Sequence, residues 1–151
     1  MAPASPTDWM QIHDLLSSFQ RAFDDRDWDL MRDCLADRIF TDYSSFRNTP
    51  AETLAAEEYI ARRRSALADL RTQHNFCNLE IAVEGDRARG RCNYVIHRFH
   101  PGFQGEPDKF FHSYGHYLFE FERSRSGWKI AAITQKLLKN HGDPRLHGAT
   151  R

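Results

Sequence analysis

The chain has 151 residues, with 21 Lys plus Arg against 21 Asp plus Glu, so its formal net charge is zero. That balance argues against nucleic acid, which is usually bound through a basic excess, and no apolar run approaches the ~20 residues of a membrane helix. Apolar residues at 40% and aromatic residues at 13% suffice for one domain with a single core and an aromatic-lined cavity.

The N-terminus, MAPASPTDWMQ, shows no cationic start followed by an apolar run, so no signal peptide is expected. Cys34, Cys77 and Cys92 have no metal-ligand spacing and are read as reduced, small apolar residues. A cytoplasmic location follows as the expectation. Residues 1–6 are expected to be disordered, 7–138 to form one domain, and 139–151 to form a polar tail.

In chain order, Thr7 is the expected cap of a first helix, with Ile12, Leu15, Leu16, Phe19, Ala22 and Phe23 at helical spacing. Asp27 caps a shorter helix through Trp28, Leu30, Met31 and Leu35. RIFTDYSSF reads as a short strand, and TPAETLAAEEYIARRRSALADL as a third helix with Pro50 near its start. From Arg71 onward the pattern is strands: two runs around Glu84-Gly85-Asp86, then two more around SRSG. A Pro/Gly-rich loop, HPGFQGEPDK, links the two hairpins.

Helices followed by long strands predict an α+β fold, with a strongly bent sheet wrapped around N-terminal helices. Such a sheet encloses space at one end, the natural place for a pocket.

Chemistry concentrates in few places. AFDDRDWDLM holds four acids between two helices, most of which suit capping and solvation. Asp24 differs, because it follows Phe23 on the last turn of the apolar stripe and can point inward. An inward carboxylate needs a partner, and His74 in LRTQHNFCNLEI is the candidate. An Asp that holds a neutral His fixes its tautomer and stabilises the imidazolium formed on proton uptake. Tyr43 can donate to a developing oxyanion, or it can be an ordinary core tyrosine. His97 and His100 alternate across a strand, and His112 and His116 share a face away from Tyr117 and Phe119, so no metal site is expected.

Alternation within the strands poses two questions. Cys92, Tyr94, Ile96 and Arg98 share one face and His97 the other, so His97 turns inward only with a bulge. Leu79, Ile81 and Val83 are out of phase with His74 and Phe76, which one extra residue near Cys77-Asn78 would reconcile.

Taken together, FDDRDWDLM, IFTDYSSF, LRTQHNFCN, EGDRARG and SGWKIAAI resemble the nuclear transport factor 2-like superfamily over about residues 8 to 138. The likeness is to its SnoaL-like branch, which includes scytalone dehydratase, hexachlorocyclohexane dehydrochlorinase and polyketide-cyclase-like proteins. The resemblance implies a cone-shaped barrel, no metal or organic cofactor, and homo-oligomers, with a trimer favoured over a dimer. It places the catalytic pair on Asp24 and His74, a carbonyl-polarising tyrosine on Tyr43, and a second histidine on His97. Departures bear on the substrate: Phe23 stands where the dehydratase has a second tyrosine, and Gly115 and Tyr117 where it has serine and asparagine. Ile133 stands where the dehydrochlorinase has arginine.

The expected activity is a cofactor-independent lyase or isomerase acting on a small cyclic, partly apolar molecule. Its expected substrate lining is Phe19, Phe23, Phe46, Phe76, Tyr94, Ile96, Arg98, Tyr117, Phe119 and Ile133. The rival is a non-catalytic ligand-binding module, or a subunit like the β chain of aromatic-ring dioxygenases.

Overall fold

The structure, a computed structural model, describes residues 1–101 and 109–148. Most of the linking loop between the hairpins, and residues 149–151, lie outside the described residues. The elements are β1 (Ala2–Pro3), α1 (Pro6–Asp25), α2 (Trp28–Cys34), β2 (Leu35–Asp42), α3 (Ser44–Arg47), β3 (Glu52–Ala55) and α4 (Ala56–Ala66). The long strands β4 (Arg71–Glu84), β5 (Arg87–His100), β6 (Lys109–Ser124) and β7 (Gly127–Gly142) follow, then one 3₁₀ turn at Pro144–Leu146.

Among the described residues, seven strands form one sheet in the order β1-β4-β5-β6-β7-β2-β3. Only the β2–β7 pairing is parallel; the others are antiparallel. The expected α+β class holds, but the sheet has two edges and does not close into a barrel. Its inner face packs on α1 through Phe19, Phe119, Phe121 and Ile133, all of them buried. No helix among the described residues is long and apolar enough to cross a membrane.

Several boundaries differ from the sequence reading. Helix α1 starts earlier, capped by Ser5, whose Oγ accepts the Asp8 N–H at 3.1 Å, because Pro6 already has the helical φ that suits a first turn. Ala2 and Pro3, expected to lack order, pair with Val83 and Ala82. Glu52–Ala55, read as helix, is instead a strand paired with β2, where ladder bonds to Arg38 through Thr41 outweigh a modest helical propensity. Of the stretch read as a polar tail, the described residues continue β7 to Gly142 and then turn so that His147 is buried.

The extra residue near Cys77-Asn78 is present. The pairings Cys77↔Asn93 and Glu80↔Arg91 set two residues of β4 against Cys92 alone, and Asn78 sits at φ 55°. This bulge lets His74 and Ile81 face the same side despite their odd separation. Asn tolerates the left-handed region, whereas a β-branched residue there is strained. Asn78→Val is therefore expected to lower stability by about 1–2 kcal/mol, measured by denaturant unfolding, with Asn78→Gly much closer to wild type.

Candidate active site

The site begins where α1 ends. Arg26 adopts the left-handed conformation that stops the helix, with φ 59°. Its guanidinium then donates to the carbonyls of Phe23 and Leu70, to the Leu67 carbonyl at 3.1 Å and to the Thr72 hydroxyl at 3.1 Å. One cation thus ties the end of α1 to the start of β4 and leaves Asp24 facing the strand.

The Asp24 carboxylate is fully used. Oδ2 accepts the backbone N–H of His74 at 2.8 Å, and Oδ1 accepts the Thr72 hydroxyl at 3.0 Å and meets His74 Nδ1 at 2.7 Å. A carboxylate at Nδ1 selects the Nδ1–H tautomer and leaves the Nε2 lone pair free. The ring stacks on Phe23 at 4.6 Å between centroids, tilted by 19°. The His74 side chain is only 5% exposed and Asp24 21%. Burial holds the imidazole below its usual pKa, although the Asp24 bond and charge act in the opposite direction.

His74 lines a small enclosed cavity with Phe23, Tyr43, Phe46, Arg63, Ile96, Arg98, Tyr117, Gln135 and His147. Its volume is about 30 Å³, enough for a water or two and not for a ring compound. Tyr43 caps α3, and its hydroxyl lies 2.8 Å from that of the buried Tyr59. Burial raises the Tyr59 phenol well above its usual range, so its hydroxyl keeps its proton. Arg98 is 3% exposed and donates from Nη1 to Ser113 Oγ at 2.8 Å, which in turn donates to Asn140 at 2.7 Å. Burial lowers the guanidinium pKa to about 10. His147 packs edge-on against Phe46 at 5.3 Å, and burial, then Arg98, Arg63 and Arg47, push its pKa down to about 2.

The structure brings together seven of the expected residues: Phe23, Tyr43, Phe46, His74, Ile96, Arg98 and Tyr117. Asp24 sits behind His74. The expectation for His97 is corrected: β5 keeps strict alternation, so Arg98 faces the cavity and His97 lies on the opposite face, 4.8 Å from the His112 ring. Five other lining expectations are also corrected. Phe19, Phe119 and Ile133 belong to the core beneath the cavity, Tyr94 stacks behind Tyr117 at 4.5 Å, and Phe76 leans on His13 at 5.5 Å.

Sequence reading missed Arg63, Gln135 and His147. Tyr59, Ile60, Arg63 and Leu67 recur at helical spacing, a signal that the RRR run obscured. Gln135 lies two residues from Ile133 on the same face. His147 gave no signal. A larger groove of about 770 Å³ involves Phe40, Leu118 and Thr134 and holds no acid–base pair.

A bent mixed sheet packed on N-terminal helices, with a cavity beside it, is the architecture of the NTF2-like class of fold. Solved structures agree: the Kfla4162 protein of Kribbella flavida superposes with TM-score 0.86 at 21% identity, covering 96% of this chain and 98% of that one. An NTF2-like family protein of Streptomyces avermitilis does so with TM-score 0.76 at 15% identity, covering 89% and 99%. The sequence profile of the SnoaL-like domain matches residues 6–134, and the chain belongs to that family. It is also 35% identical over 71 residues to scytalone dehydratase of Colletotrichum orbiculare, a stretch spanning 44% of this chain and 38% of that enzyme.

The two buried histidines fix a pH response. Their folded pKa values are depressed, so below about pH 6.5 the unfolded chain binds more protons than the fold does. Stability is full above that value and is lost as pH falls. The melting temperature is expected to drop between about pH 7 and pH 5, and less steeply in His147→Gln; a flat profile would contradict neutral burial.

Proposed function

We propose that the chain is a cofactor-independent lyase or isomerase of the dehydratase type, with His74 as general base and Asp24 as its positioning residue. The observation that carries this is the 2.7 Å bond between Asp24 Oδ1 and His74 Nδ1 beside a cavity. Family membership and the partial match to scytalone dehydratase support the same class of activity.

The residues account for a balanced sequence of proton transfers. His74 Nε2 takes a proton from a carbon next to a substrate carbonyl, and the C–H electron pair moves onto the carbonyl oxygen as an enolate. Asp24 stabilises the imidazolium so formed. Tyr43 donates to the enolate oxygen when Tyr59 donates to Tyr43, and the Arg98 guanidinium adds positive charge nearby. For dehydration, the enolate collapses, the bond to a β-hydroxyl breaks, and the imidazolium returns its proton to release water. For isomerisation, the proton returns to a different carbon. The substrate is a small cyclic, partly apolar carbonyl compound that packs on Phe23, Phe46 and Ile96. Such a ring is larger than the space beside His74, so side chains lining that space move when it binds.

Exchange of α-protons for deuterium in a panel of cyclic ketones and hydroxyketones, followed by NMR, tests this without knowing the leaving group. Wild type is expected to catalyse exchange in at least one compound, with His74→Asn slower by about 10²–10⁴. Tyr43→Phe is expected to slow exchange by about 10² or more through loss of one oxyanion donor. Equal exchange by His74→Asn and wild type would remove His74 from the chemistry.

A further inference from the structure

Proton abstraction leaves an unusual feature of the cavity unexplained. Arg98 and Arg63 both line it, at 3% and 8% exposure, and Arg47 joins Arg63 against Tyr43. Among the described residues, none of the three forms an ion pair with a carboxylate. The nearby acids are engaged elsewhere: Glu52 and Glu58 both bind Arg62 at 2.6 Å, and Asp24 is consumed by His74 and Thr72. The Nε atoms of Arg47, Arg63 and Arg98 are buried with no hydrogen-bond partner.

Aromatic rings supply part of the missing stabilisation. The Arg47 guanidinium lies 4.3 Å from the centre of Tyr43, Arg63 5.2 Å from Tyr43 and 5.4 Å from Tyr59, and Arg98 5.4 Å from Phe46 and from Phe111. Such contacts are worth about 0.5–2 kcal/mol, far less than the several kcal/mol of burying a guanidinium. His147 is held neutral and adds no counter-charge. A cluster of buried cations without an acid is a site for an anion that arrives with the ligand.

We propose that the substrate of this site carries a carboxylate, gripped by Arg98 and Arg63, with Arg47 adding positive charge at the mouth. This rests on the proposed proton-transfer function only for the name substrate; anion binding itself is independent of His74. The planar guanidinium fork matches a carboxylate's two oxygens, and Phe23, Phe46 and Ile96 suit a flat apolar ring beside it. The substrate is therefore a cyclic keto or hydroxy acid. Its carboxylate lies on the arginine side and its acidic C–H faces His74 Nε2.

The test compares benzoate with benzamide, which has the same shape and no charge, by NMR titration of the full chain at constant ionic strength. Benzoate is expected to bind about tenfold or more tightly than benzamide. Arg98→Met and Arg63→Met are each expected to remove most of that preference by weakening benzoate far more than benzamide, and Arg98→Lys to retain part of it. The Lys variant and Arg63→Met keep the test decisive where Arg98→Met fails to fold. His74→Asn is expected to keep the full preference, so loss of deuterium exchange and loss of anion preference report separately. Equal affinity for the two probes, no binding of either, or a preference that survives both Met variants would overturn the proposal.

Discussion

The carboxylate of Asp24 is the joint on which the rest depends. It stands on the last turn of α1 and satisfies three donors from β4: the Thr72 hydroxyl, the His74 backbone N–H and the His74 ring. Helix and strand are thereby joined at this point by three hydrogen bonds to one carboxylate. Arg26 locks the same junction from the other side by donating to carbonyls at the end of α1 and just before β4, and Thr72 links the two by accepting from Arg26 and donating to Asp24. A pair of side chains carried by a helix and a strand rather than by loops is held in one geometry.

Electrostatics around the joint are asymmetric. Burial keeps His74 and His147 neutral and keeps the Tyr59 proton in place, while Arg98, lowered to about 10, stays charged. The cavity thus offers a proton acceptor, phenolic donors and positive charge without a carboxylate partner among the described residues, with Arg47 and Arg63 packed on the tyrosine rings. Low dielectric strengthens every one of these interactions and makes any unpaired member costly. That cost is what gives the arginine cluster chemical meaning.

Much of this was legible in the sequence, for physical reasons. Phe23 and Asp24 end an apolar stripe, so the carboxylate could turn inward, and the phase break between Phe76 and Leu79 announced a bulge that Asn78 makes. Alternation alone placed Arg98 inside; the resemblance pulled toward His97, but the bulges fall outside β5. What stayed hidden depends on distant partners. Glu52–Ala55 is a strand only because β2 lies beside it, Arg63 sits in a run that looks solvated, and His147 is buried by a turn that follows a long strand.

The most direct measurement is the ¹⁵N NMR spectrum of the His74 ring in wild type and Asp24→Asn. The account predicts, at about pH 7, a neutral imidazole with its proton on Nδ1 and a bare Nε2, and loss of that single tautomer in Asp24→Asn. A His74 that is doubly protonated at that pH, or that carries its proton on Nε2, would contradict it.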